Sequence, residues 1–301
     1  MKYSIIIPHK NSSKLLERLI KSIPNNNDIQ IIVIDDNSKD EEKVILKKIN
    51  ANYNNLELYN NEGIGAGAAR NTGLKYAKGK WVLFADADDF FTKAILDILL
   101  KYYDYNDTDI IYFRINSCYS DSLKPAYRDE HINNLFIRFS KRKDENFLRC
   151  CYLTPWGKIF NRNFINSHKF KFEEIVAGND MMFSVKTGVK ANKIIIDETI
   201  IYTVTVSSGS LTTTLSKEKF KSRFDATIRV NNFLKENHLS KYQISVLYFI
   251  AKSRQFGYNF LFYIIKECIR NKSNLFIGMK KLLYIKKVLQ DRENSSYIKR
   301  E

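Results

Sequence analysis

Trp81-Val82-Leu83-Phe84-Ala85-Asp86-Ala87-Asp88-Asp89 reads as a short apolar strand that ends in a cluster of acid. Upstream, the same pattern of apolar run and polar stop recurs. Ser4–Ile7 is closed by Pro8, Ile29–Ile34 is broken by Asp35-Asp36-Asn37-Ser38, and Leu56–Tyr59 forms a third run. Between these runs the spacing predicts helices. One follows Ser12/Ser13 with an apolar face of Leu15, Leu16, Leu19, Ile20 and Ile23, and a second spans Glu41–Asn50 with Val44, Ile45 and Ile49. A third runs from Ala68 to Lys78 after the Gly63, Gly65, Gly67 loop. Strands alternating with helices predict an α/β fold, a mostly parallel sheet covered on both faces. Ligands of such sheets collect beyond the carboxyl ends of the strands. Pro8–Asn11, Asp35–Ser38 and Asp86–Asp89 are therefore expected on one rim.

Downstream, Ile110–Phe113 reads as another strand and 194–206 is strongly β-prone. Asp121–Asp144 is polar with little periodicity and reads as a variable or mobile insertion. Beyond Leu215 the chain reads as helical. The expected organisation is residues 1–110 and 111–216 as two halves of one catalytic domain, followed by a basic helical region, 217–301. The formal net charge of +16 follows that division: basic and acidic residues number 15 and 16 in the first part, 15 and 10 in the second, 19 and 7 in the third. The excess thus belongs mainly to the end of the chain. Four Cys, two of them adjacent (Cys150 and Cys151), do not resemble a disulfide framework, and a reducing, cytoplasmic setting is expected. No signal peptide is read at the N-terminus, and no run approaches the ~18 apolar residues of a spanning helix.

Three carboxylates in four positions at a strand end repel one another unless a cation sits among them, and oxygen ligands of this kind suit Mg²⁺ or Mn²⁺ shared with a diphosphate. A solvated turn whose acids cap a helix near Thr92 is the alternative reading. Asp35-Asp36-Asn37-Ser38 offers acceptors for a base or ribose hydroxyls, or else an Asx turn. Gly63–Asn71 lacks the third glycine of a dinucleotide fingerprint. A phosphate near Arg70 or the following helix N-terminus remains compatible with it. Asp180, in Gly178-Asn179-Asp180, is a helix cap or a functional acid. Trp156-Gly157-Lys158 is a substrate platform with a cation, or a buried Trp beside a surface Lys.

Taken in order, these motifs resemble the family 2 glycosyltransferases, inverting enzymes with a GT-A fold. Ser4–Asn11 and Ile31–Asp40 resemble the family's two nucleotide loops. Ala69-Arg70-Asn71-Thr72-Gly73 followed by Phe84–Asp89 resembles its Ala-Arg-Asn-x-Gly segment and Asp-x-Asp metal motif. Trp156-Gly157-Lys158 and Asn179-Asp180-x-x-Phe183 resemble later segments of its bacterial polysaccharide and lipo-oligosaccharide members. The resemblance covers roughly residues 3–215. It implies a Rossmann-like nucleotide-binding sheet with helices on both faces, plus a C-terminal helical segment. It also implies a UDP-sugar donor, a glycan or lipid-linked acceptor, a divalent cation (Mn²⁺ or Mg²⁺) and a β-glycosidic product.

By position, Asp36 would contact uracil or ribose, with Pro8 and Asn11 in the same pocket. Asp86 would face ribose and metal, Asp88 would bind the ion, and Asp89 is a further candidate ligand. Asp180 would be the catalytic base, with Trp156, Lys158 and Asn179 toward the acceptor. Position 179 departs from the family, which usually has Glu there. No His follows in 200–215, and Ser207–Ser210 would meet phosphates instead. The rival readings are a nucleotide-sugar hydrolase or nucleotidyltransferase, and a non-catalytic basic membrane-binding protein on a degenerate GT-A fold.

Residues 245–289 interleave aromatics, aliphatics and Lys/Arg, with an apolar stripe through Leu275, Gly278, Met279, Leu282, Ile285 and Leu289. Packing on the catalytic domain is one reading. Docking of 217–301 on an anionic membrane surface is the other, which would make the protein peripheral on the inner face of the cytoplasmic membrane. No nucleic-acid partner is expected.

Overall fold

The computed structural model describes residues 1–206, 216–275 and 277. Four runs in the first part form parallel strands: β1 (Tyr3–His9), β2 (Ile29–Asp35), β3 (Leu56–Asn60) and β4 (Trp81–Phe84). They are joined by helices α1 (Ser13–Ser22), α2 (Asp40–Ala51) and α3 (Gly65–Tyr76). After β4 come β5 (Phe90–Phe91), α4 (Ile95–Lys101), β6 (Ile110–Tyr119), α5 (Glu130–Arg142), α6 (Asn146–Cys151), β7 (Lys158–Asn161), α7 (Arg162–Ser167), α8 (Met181–Lys190) and β8 (Ile194–Val206). Helices α9 (Lys217–Glu236), α10 (Leu247–Ser253) and α11 (Tyr258–Arg270) follow.

All eight strands form one sheet, ordered β3-β2-β1-β4-β7-β6-β8-β5. β7 runs antiparallel to both β4 and β6, so the sheet is mixed beyond its first four strands. Every residue of β2 and β4 is buried, as expected of strands covered on two faces. Among the described residues, no helix is long and apolar enough to cross a membrane, and all four cysteines are free.

Several expectations need correction. Asp121–Asp144 is not a mobile insertion: α5 turns Ile132, Leu135 and Phe136 into the core at i, i+3, i+4 spacing, beneath an exposed charged side. In α2, Val44 and Ile45 are exposed, and Leu46 and Ile49 are the buried pair. Helix α3 begins at Gly65, three residues before the expected start, because its N-terminus is capped from another loop. The acids after β4 cap no helix near Thr92, since α4 starts at Ile95.

The main core spans the whole sheet. A second cluster joins α9, α10 and α11 through Phe220, Phe224, Phe249, Phe260 and Ile264. A third, with Cys150, Met182, Val185, Val230 and Leu234, fastens α9 to α6 and α8. Helix α9 therefore links the C-terminal helices to the helix that follows Asp180. The expected phosphate contacts of Ser207–Ser210 and most of the 275–289 stripe lie outside the described residues.

Candidate active site

The loops after β1 and β2 meet as expected. Asn11 and Asn37 take left-handed backbone conformations, φ 50° and 57°, which Asn tolerates better than most residues. The Asn11 backbone N–H donates to Ser38 Oγ (2.9 Å), and Asn11 Oδ1 accepts from the Lys39 N–H (2.8 Å). Pro8 lies half-buried at the end of β1, opposite Ile34. Beneath them, buried His9 has Nδ1 3.3 Å from Asp35 Oδ1, and its Nε2 accepts from the Ser12 N–H (3.1 Å). That pattern makes His9 a neutral ring protonated on Nδ1, and burial accordingly holds its pKa below the ordinary value against the pull of Asp35. Asp35 also accepts from the Ser38 N–H, so the Asx-type turn belongs to Asp35.

Its neighbour Asp36 is left for another task. Asp36 Oδ1 accepts from Asn61 Nδ2 (2.7 Å) and from the Gly65 N–H (2.9 Å), while Oδ2 lies 3.3 Å from Lys10 Nζ. The carboxylate is thus fixed at the N-terminus of α3, where the helix dipole favours negative charge.

In the loop after β4 the three acids diverge. Asp89 is buried: Oδ2 accepts from Tyr202 Oη (2.9 Å) and Oδ1 from the Thr205 N–H (2.7 Å). The same Tyr202 hydroxyl accepts from the Asp86 N–H (2.8 Å), so Asp89 ties the loop to β8 with both carboxylate oxygens engaged. The Asp88 carbonyl is held by Arg18 Nη2 and Thr205 Oγ1, and the residue is half-buried. Burial, and then Asp86, raise the Asp88 pKa. Two mutually repelling carboxylates on one loop are a donor set that Mg²⁺ or Mn²⁺ completes with diphosphate oxygens and water, so these residues fit a cation bound together with substrate. Among the described residues, no group of three or more His, Cys, Asp or Glu is arranged to hold an ion unaided.

Arg70, nearly buried on α3, joins this loop to the far side of the cleft. Its Nη2 donates to Asp86 Oδ1 (2.6 Å) and its Nη1 to Asn179 Oδ1 (2.9 Å), over the Phe172 ring (5.4 Å). Asp180, next to Asn179, occupies the N-cap position of α8 yet makes no side-chain cap hydrogen bond. It borders the cleft but is well desolvated. Burial raises its pKa, Arg70 and Arg223 oppose the rise, and Asp86 adds to it. A carboxylate without a cap bond, its pKa raised by burial and beside a fixed guanidinium, is suited to accept a proton.

The approach of this segment to α3 depends on Gly67, where a Cβ would lie 2.2 Å from the Glu173 carbonyl oxygen. The segment is also pinned to α9: Arg229 forms a two-pronged ion pair with Glu173, and Ser222 Oγ donates to the Ala177 carbonyl and accepts its N–H. A pocket of about 320 Å³ opens here between Ile175, Val176 and α9.

Trp156 is buried and stacked on Tyr202 (5.9 Å). Lys158 is only 1% exposed, with Nζ donating to the Tyr152 carbonyl (2.6 Å) and lying over the Tyr112 and Tyr152 rings. Burial lowers its pKa well below the ordinary range, and Asp180 opposes the fall. Lys158 therefore supports the cleft from behind and does not present a surface cation to an acceptor.

Asn11 thus meets the Ser38 loop, Asp36 is fixed on the N-terminus of α3, and Arg70 of the same helix joins Asp86 to Asn179, beside Asp180. Sequence reasoning missed His9, Arg18, Tyr202 and the Glu173–Arg229 pair. Each acts through a partner remote in sequence, and the sequence carries no local signal for such pairings.

The sequence model described as glycosyl transferase family 2 matches residues 4–168. An uncharacterized glycosyltransferase of Mycoplasma genitalium, MG060, is 30% identical over 79% of this chain and 80% of its own length. A cholesterol galactosyltransferase of Borreliella burgdorferi is 28% identical over 71% of this chain, which spans 63% of that protein. Among solved structures, Staphylococcus aureus TarS 1-349 in complex with UDP-GlcNAc superposes with a TM-score of 0.67 at 22% identity, covering 98% of this chain and 90% of TarS 1-349, a likeness of fold. The matched segment includes β1–β4 and the acidic loop and exceeds half of the sequence; the chain belongs to glycosyl transferase family 2.

Proposed function

We propose that the protein transfers a sugar from a UDP-linked donor to a hydroxyl of a glycan or lipid-linked acceptor, with inversion, giving a β-glycoside in the synthesis of surface polysaccharide or lipo-oligosaccharide. The observation that carries this reading is Asp180: a carboxylate at a helix N-cap with no cap bond, separated from the Asp86 loop by the Arg70 bridge. The relatives named for galactosyl transfer to cholesterol and for a complex with UDP-GlcNAc support the acceptor and donor classes.

Each residue then has a task. Asp36, with Pro8 and Asn11 beside it, takes the uracil or ribose from a carboxylate already fixed on Gly65 and Asn61. Asp86 and Asp88 would hold Mn²⁺ or Mg²⁺, which when bound neutralises charge on the leaving diphosphate. Arg70 keeps Asp86 and Asn179 at a fixed separation. Asp180 takes the proton of the acceptor hydroxyl while that oxygen bonds to the sugar C1 and the bond from C1 to the diphosphate oxygen breaks on the opposite face. Attack from that side inverts the centre.

The test is thermal stabilisation by a panel of nucleotide sugars with and without Mn²⁺ or Mg²⁺, followed by product analysis. A UDP-sugar at a hundred times its dissociation constant should stabilise the protein by about 2.7 kcal/mol. In D88A the metal-dependent part of that stabilisation should disappear. Stabilisation by no donor would overturn the reading, and release of free sugar without transfer would favour a hydrolase.

A further inference from the structure

Helix α11 has two apolar faces. Phe260, Ile264 and Cys268, four residues apart, are buried against Phe220, Phe224 and Ile228 of α9. On another side of the helix stand Tyr258, Phe262 and Ile269, which are 62%, 66% and 67% exposed, with half-buried Ile265 between them. A surface helix of a globular protein needs only one apolar stripe, so packing accounts for the first face and leaves the second without a partner among the described residues. Exposed Lys266 and Arg270 border this second row, and exposed Arg254 and Lys272 lie near its two ends. Residues 245–275 contain five Lys or Arg and one acid, Glu267, which pairs with Arg270.

We infer that this face of α11 docks on an anionic lipid surface, with Tyr258, Phe262 and Ile269 entering the headgroup boundary and Lys266, Arg270 and Lys272 meeting lipid phosphates. Large aromatic and aliphatic side chains bordered by basic ones are the composition of a helix lying in the membrane interface. Charge decides the occupant. The region from 217 onward has 19 basic and 7 acidic residues, which an anionic bilayer complements, whereas a second copy of the same face would set like charges against each other. Docking would also serve the cleft, since α11 packs on α9, and α9 holds the segment leading to Asp180 through Ser222 and Arg229. The inference uses no residue of the candidate active site, so it can fail while the transferase reading stands, and the reverse.

The experiment is co-sedimentation of the full chain with phosphatidylcholine vesicles, with and without phosphatidylglycerol, across a range of salt. The wild type should sediment with the anionic vesicles only, and less as salt rises. F262S/I269S and K266E/R270E should each lower partition by about tenfold or more; the thermal midpoint of F262S/I269S should be unchanged because both side chains are exposed, and that of K266E/R270E slightly lowered by loss of the Arg270 pair with Glu267. Equal binding to both vesicle types, or undiminished binding by both variants, would overturn the inference. It would equally be overturned by a wild-type dimer in solution that F262S/I269S separates, which would make a second copy the occupant.

Discussion

The two sides of the cleft treat their key carboxylates in opposite ways. On the sheet rim, Asp36 accepts hydrogen bonds from Asn61 and Gly65, and Asp35 from Ser38, with the His9 ring beside it. Across the cleft, Asp180 stands where a side chain ordinarily caps a helix and makes no such bond. The difference follows from the tasks proposed for the two sides. A group that holds a ligand gains from being fixed beforehand, because little ordering is left to do on binding. A group that takes a proton needs a free lone pair and a pKa above that of an ordinary carboxylate.

The sharpest way to break this contrast is D180N. Transfer should fall by about 10²–10⁴-fold while stabilisation by donor stays as in the wild type; loss of donor binding as well would show that Asp180 belongs to the donor side. In the wild type the acid limb of kcat/KM should lie above the ordinary Asp value of about 3.9, with activity lost as pH falls through the raised pKa and the base becomes protonated.

Next in size, Y202F takes a donor from buried Asp89 and an acceptor from the Asp86 N–H, and should cost about 1–3 kcal/mol in denaturant unfolding. D36A leaves Gly65 and Asn61 without their acceptor and should cost about 1 kcal/mol, with a higher donor KM and little change in kcat. The smallest effect concerns His9, whose pKa is lowered in the folded protein. Its contribution is present above about pH 6.5 and is lost as pH falls below that value toward the folded one. Thermal midpoints between about pH 7.5 and 5.5 should therefore fall further in the wild type than in H9Q.

Strands β1, β2 and β4 were legible because each is a continuous apolar run that ends at a proline or an acid, and their shared rim follows from parallel pairing. Helix α5 was obscured because Ile132, Leu135 and Phe136 lie among charged residues that dominate the composition there. The phase of α2 was ambiguous, since Val44 and Ile45 fit a helical period as well as the pair that the core selected. Asp88 and Asp89 are equivalent in sequence. What separates them is Tyr202 and Thr205 on a strand more than a hundred residues away. The place of Asp180 at a helix start was one of the readings of its segment, its role as base came only from the resemblance, and its lack of a cap bond only from the structure. Charge partitioning places the basic excess at the end of the chain, but only the three-dimensional packing separates the buried and outward faces of α11.

Gly67 carries a consequence for how this chain could change. The wall bearing the proposed base leans on helix α3 through a gap that one methyl group would fill, 2.2 Å from the Glu173 oxygen. A side chain there would push that wall outward and move Asp180 with it, lengthening the path from base to anomeric carbon. Change along this segment, by drift or by design, therefore has to keep this one clearance: it is the tolerance to which the segment is fitted against α3.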